Sequence, residues 1–115
     1  MKVQGVFRNA KEVRNVPAGG TIFQTGETGT EMYGIVEGEV ELQGSHGVIA
    51  KLTTDDVFGE MALVDSSPRM ATAMAVTDTQ LAVIDRRLFL FLIHETPTFA
   101  LQVMSAMADR LRAQG

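Results

Sequence analysis

Gly59, Glu60 and Arg69 are the residues of this chain whose types and spacing point most directly to chemistry: a glycine and a carboxylate, then an arginine nine residues after the acid, with Met61-Ala62-Leu63 between them. Gly59 allows close backbone approach to a ligand and dihedrals closed to other residues. Glu60 to Val64 is long enough for one helical turn after a strand ending near Phe58, and the first amides of such a turn have no intrahelical partner. A phosphate placed there collects N–H donors at the positive end of the turn's dipole. Arg69 adds a charge-assisted, bidentate contact to the same anion. Glu60, itself an anion, is expected to avoid the phosphate and to accept from a sugar hydroxyl instead. The chemistry is recognition of a phosphate and a ribose together.

The elements that position these residues follow from the punctuation of the chain. Turn signals recur at Pro17-Ala18-Gly19-Gly20, Gly26 to Gly29, Glu37-Gly38, Gly44-Ser45-His46-Gly47 and Asp55-Asp56, separated by runs of five to eight residues. That spacing predicts a sandwich or barrel of short antiparallel strands. Glu39-Val40-Glu41-Leu42-Gln43 alternates, which turns Val40 and Leu42 inward, and Val48, Ala50 and Leu52 are expected to repeat the pattern opposite. Ala71 to Val76 and Gln80 to Ile84 read as strands apolar on both faces, joined by the turn Thr77-Asp78-Thr79. After Asp85 the period changes: Asp85 caps a helix from about Arg86 to His94, and Thr96-Pro97 opens a last helix reaching about Arg112. A short helical lead is expected near Gly5 to Ala10. The predicted fold is mainly β with C-terminal α: an eight-stranded jelly-roll-like barrel over about residues 11–85, with a short helix after Gly59 and two C-terminal helices over about 86–113.

Taken together, Phe58-Gly59-Glu60-Met61-Ala62-Leu63, the linker Val64 to Ser67, and Pro68-Arg69-Met70-Ala71-Thr72 resemble the phosphate-binding cassette of cyclic nucleotide-binding domains. These are the modules of cAMP-dependent kinase regulatory subunits, cyclic nucleotide-gated channels and catabolite-activator-type transcription factors. Phe23 to Glu27 followed by Met32 to Val40 is similar to the early strands of that family, so the resemblance runs from about Val6 to Leu111. It implies nucleotide contacts at Gly59, Glu60, Met61, Ala62, Arg69, Met70, Ala71 and Thr72. Gly59 and Ala62 would act through backbone groups, while Met61 and Leu63 would mainly fill core. Val48, Ile49 and Ala50 would border the base. Met70 departs from the family, which has a hydroxyl or a small alanine after the cassette arginine. No hydroxyl meets the guanine amino group there, so the expected ligand is cAMP, with cGMP less favoured. The bulk of Met70 motivates the alternative, an interaction or dimerisation module of the same fold that has lost nucleotide binding.

Composition narrows the classes further. The 115 residues suggest one domain, and 45% apolar with 21% charged residues is ordinary for a globular chain. No cysteine is present, which excludes disulfides and thiolate chemistry. A net charge of -4 without a Lys/Arg cluster argues against nucleic acid, and no stretch is apolar enough to span a membrane, so a cytoplasmic location is expected. His46 and His94 are too few and too far apart for a metal site, and no activated nucleophile is apparent, so no enzyme is expected. Tyr33, the one tyrosine, reads as a packing residue. In the last helix Leu101, Met104, Ala108 and Leu111 recur at intervals of three, four and three. That stripe either packs on the barrel, or caps the base or pairs with a homodimer mate or separate effector. At this length no output domain fits beside the barrel, so occupancy is expected to pass to such a partner or to a further segment.

Overall fold

The computed structural model describes residues 2–114. Eight short strands appear where the turn signals separate the apolar runs: β1 (Val13–Val16), β2 (Thr21–Phe23), β3 (Glu31–Glu37), β4 (Val40–Gly44), β5 (Gly47–Leu52), β6 (Val57–Phe58), β7 (Thr72–Ala75) and β8 (Thr79–Asp85). A one-turn helix, α1 (Met61–Val64), separates β6 from β7, and α2 (Arg86–Glu95) and α3 (Thr98–Gln114) follow β8. The strands form two four-stranded sheets, ordered β1-β8-β3-β6 and β2-β7-β4-β5, with every pairing antiparallel. The jelly-roll-like character and the strand number agree with the sequence, but the two sheets face one another without closing into a barrel.

Two apolar clusters explain why β3 and β8 are buried on both sides. Between the sheets lie Tyr33 and Ile35 of β3 with Leu81 and Val83 of β8, together with Val40 and Leu42. On the outer face of the same sheet, Met32, Ala82 and Ile84 pack with Phe7, Phe99 and Val103. Gly34 is required there, because a side chain at that position would enter the ring of Phe7. The helices thus cover one sheet, and α3 is carried from that cover past the end of β6, where the candidate site begins.

Several local expectations are corrected. Gly5 to Ala10 forms turns, with Arg8 N–H donating to Gly5 at 3.3 Å and Ala10 N–H to Phe7 at 3.1 Å, because Gly5 takes φ +74° and the segment is too short to propagate a helix. Leu52 is buried opposite Val40, but a register shift between Leu42 and Gln43 places Val48 opposite Gln43 and leaves it exposed. β7 is not apolar on both faces: Ala73 and Ala75 point inward, Thr72 and Met74 are half-buried, and Val76 lies beyond the strand in solvent.

At the helices, Asp85 caps α2 as expected, its side chain accepting from Leu88 N–H at 2.8 Å. Asp85→Ala is expected to lower stability by about 1 kcal/mol, read as a lower urea midpoint at unchanged slope. Pro97 is not the first residue of α3. Thr96 serves as the C-cap of α2, its N–H donating to Leu92, and its carbonyl accepts from Phe99. The stripe Leu101, Met104, Ala108, Leu111 does not pack on the sheets. Phe99, Gln102, Val103 and Met107 face inward, whereas Leu101, Met104 and Leu111 are exposed.

Candidate functional site

The site is built where β6 ends. Phe58 is fully buried in the inter-sheet core, so the chain leaves the sheet abruptly, and Gly59 makes the turn at φ +80°. That conformation is costly for any residue with a Cβ. Glu60 follows in helical dihedrals as the N-cap of α1, with Ala62 N–H donating to Gly59 and Leu63 N–H to Glu60. Ala62 and Leu63 face the core, as their size and polarity require, while Met61 is half-buried at the side of the cleft.

Arg69 is held from both directions. Its backbone N–H donates to Glu27 at 2.8 Å and its carbonyl accepts from Gly26 at 2.7 Å, which ties it to the β2–β3 loop. Its guanidinium lies over the Phe23 ring, 4.2 Å from the centroid. Nη1 donates to the Gly59 carbonyl at 3.0 Å and Nη2 to the Glu31 carbonyl at 2.8 Å. The residue is 7% exposed, and no carboxylate pairs with it among the described residues. Burial pulls its pKa below the ordinary arginine value, opposed by more distant charges of Tyr33 and Glu31. A cation held mainly by neutral carbonyls retains attraction for an anion.

Gly29 fits under this guanidinium, and a Cβ there would overlap it. Gly29→Ala is therefore expected to push Arg69 off its carbonyl partners and weaken anion binding, with little change in melting temperature because the obstructed group is the end of a flexible side chain. Parallel thermal-shift and calorimetric titrations check both halves of that expectation.

Glu60 is buried and meets a residue that the sequence reading did not single out. Arg110 of α3 donates through Nη1 to Glu60 Oε1 at 2.7 Å and through Nη2 to the Val57 carbonyl at 2.5 Å. Helical spacing offered a clue, since Arg110 shares a face with Val103, Ala106 and Met107, the inward side of α3. The apolar stripe drew attention to the opposite side.

Around these groups opens a cleft of about 780 Å³, solvent included. Of the residues expected to contact a ligand, Gly59, Glu60, Met61, Ala62, Arg69, Met70 and Ala71 line it, as do Met107, Arg110 and Leu111 from α3. Thr72 does not: its hydroxyl accepts from Thr25 N–H at 3.1 Å and lies 3.1 Å from the Thr25 hydroxyl, bracing the β2–β3 loop. Ile49 lines the cleft, Val48 and Ala50 do not. Tyr33 is core, stacked near Phe23 and Phe58. Its hydroxyl donates to Glu31 at 3.1 Å, and its pKa is raised first by burial and then by that carboxylate. Among the described residues no cluster of His, Asp or Glu could hold a metal, and no helix is long and apolar enough to cross a membrane.

Comparison with known proteins agrees with this geometry. The chain is 36% identical over 104 residues to the cyclic AMP receptor protein of Thermus thermophilus, an alignment covering 86% of this chain and 48% of that protein. The chain spans about half the length of this and two other curated relatives it matches. Among solved structures, the Thermus thermophilus catabolite activator protein superposes with TM-score 0.73 at 36% identity, over 88% of this chain and 50% of that one. A protein solved in work on a cyclic-GMP-dependent signalling pathway that regulates bacterial phytopathogenesis also gives TM-score 0.73, at 25% identity over 92% of this chain and 87% of that one. The family model described as cyclic nucleotide-binding domain matches residues 13–96, which include both sheets and the whole Phe58 to Thr72 cassette. This chain belongs to the cyclic nucleotide-binding domain family.

Proposed function

We propose that the chain is one regulatory domain that takes cAMP and relays occupancy through its C-terminal helices. The observation that carries this reading is Arg69, buried without a carboxylate partner among the described residues and lining the same cleft as Glu60. The phosphate docks against Arg69 and the backbone from Gly59 to Ala62, with the backbone of Met70 and Ala71 alongside. The ribose 2′-hydroxyl donates to Glu60. The base lies towards Ile49, Met107 and Leu111. The 36% identical relative named as a cyclic AMP receptor supports cAMP as the ligand, and Met70 offers guanine no hydroxyl.

The relay follows from Arg110. Because Glu60 is the partner of both Arg110 and the incoming ribose, ligand entry changes what holds the C-terminal half of α3. Binding therefore has a differential free energy for two positions of that helix, which is the requirement for a signal. The exposed Leu101, Met104 and Leu111 give α3 an apolar side suited to a homodimer mate or an effector helix. The role is regulatory and non-catalytic.

A second reading has its own support: in this structure Glu60 and both Nη groups of Arg69 are already satisfied within the chain, as an effector-free interaction module would have them. Thermal denaturation separates the two. A ligand that binds only the folded state at a hundred times its Kd stabilises by about 2.7 kcal/mol, so cAMP is expected to raise the melting temperature by several degrees. A melting temperature indifferent to every cyclic nucleotide favours the effector-free module.

A further inference from the structure

The cleft is chemically lopsided. Its charged side chains gather at the Gly59 end, where Arg69 Nη1 is 3.0 Å from the Gly59 carbonyl and Arg110 reaches Glu60 at 2.7 Å. Leu42, Ile49, Met61, Met70, Met107 and Leu111 supply most of the remaining wall. Ser67 is the one hydroxyl among the described lining residues, and its backbone N–H donates to the neighbouring Asp65 at 3.0 Å. If the charged end takes the ribose and phosphate, as proposed above, the base is left to the apolar end.

We propose that this apolar end reads a purine by shape alone, so that the domain accepts cyclic purine mononucleotides with little regard to the groups on the base edge, and that Met61, Met70 and Met107 are the residues responsible for the tolerance. Adenine presents an amino donor at C6 and a ring acceptor on that edge, whereas guanine presents a carbonyl acceptor at C6, a ring N–H and its one amino group at C2. A site separates such isosteres strongly only when it holds a buried polar group that the wrong base leaves unpaired. Among the described residues, no side chain of that kind stands free at the apolar end. Burial does not penalise the wrong edge either, because the mouth is open: Met70 is 56% and Leu111 69% exposed, so a base edge there keeps its water. Methionine, unbranched and polarisable, repacks around rings of slightly different outline. Met70 thus withholds a preferential contact from guanine without barring its entry.

Calorimetric titration of the intact chain with cAMP, cGMP, cyclic IMP and cyclic CMP tests the proposal. The three purine nucleotides are expected within about tenfold of one another, the range that apolar contact alone separates, with the pyrimidine weaker because it covers less of the methionine wall. A separation of a hundredfold or more between cAMP and cGMP overturns the proposal and leaves nucleotide binding itself intact. Binding by none of the four overturns both. Met107→Gln and Met70→Thr each place a hydrogen-bonding group in the apolar wall. At least one is expected to change the cAMP to cGMP ratio severalfold, and a ratio unmoved by either contradicts the role given to the methionines.

Discussion

Arg69→Ala is expected to weaken cAMP binding by between about thirtyfold and a thousandfold, equivalent to about 2 to 4 kcal/mol. The size follows from burial. An exposed arginine facing a phosphate is screened by water and salt, but Arg69 is 7% exposed and has already given up hydration in the free protein. Its neutral carbonyl partners return only part of that loss, and burial holds its pKa below the ordinary arginine value. An anion arriving at the cleft restores the remainder, and the arginine does not have to be desolvated or ordered at that moment. Arg69→Lys separates charge from shape. It keeps the cation but loses the planar fork that serves Gly59 and Glu31 and the stack on Phe23, so an intermediate affinity is expected. Calorimetry on variants whose circular dichroism matches the parent gives the answer. An unchanged affinity for Arg69→Ala places the phosphate elsewhere.

Glu60→Ala is expected to act twice, on stability and on ligand choice. Removing the carboxylate leaves the half-buried Arg110, whose side chain is 14% exposed, with only the Val57 carbonyl, and breaking so largely covered a pair from one side costs about 2 to 3 kcal/mol. Arg110→Ala should cost a similar amount by stranding Glu60. Glu60→Gln combined with Arg110→Met should cost less than the sum of the single changes, because neither partner is then left charged and alone. In binding, Glu60→Ala should weaken cAMP more than 2′-deoxy-cAMP, since only the former carries the hydroxyl that the carboxylate accepts. Equal losses for both nucleotides contradict the ribose role and leave Glu60 as a purely structural partner of Arg110.

Residues close in sequence made most of the site legible. Gly59, Glu60 and Arg69 lie in one short stretch whose turn, acid and base each carry a local meaning, and the strand boundaries on either side follow from alternation and glycine. Asp85 worked in the same way, because a cap is decided within three residues. The misreadings needed information that crosses the chain. The shift between Leu42 and Gln43 is a pairing property of two strands, so Val48 could not be seen to face solvent from β5 alone. The face of α3 that turns inward depends on where Gln102 and Phe99 anchor it: Gln102 donates to the Asp55 carbonyl at 2.6 Å and accepts from Val3 N–H at 3.0 Å. With that anchor fixed, Arg110 falls on Glu60, Leu111 borders the cleft mouth, and Leu101 and Met104 of the apolar stripe point out. Thr72 reads as a ligand contact because it closes the cassette pattern, and only the fold reveals that its hydroxyl is occupied by Thr25.

The central claim is that the cleft between α1, Arg69 and α3 is a working cyclic nucleotide site. Isothermal calorimetry of the unmodified chain with cAMP tests it most directly. The expected result is saturable heat with one nucleotide per chain, abolished or strongly weakened in Arg69→Ala. No measurable heat with cAMP, cGMP or any other cyclic nucleotide, together with an unchanged melting temperature, would contradict it and leave a domain of this family that has kept the fold without the ligand.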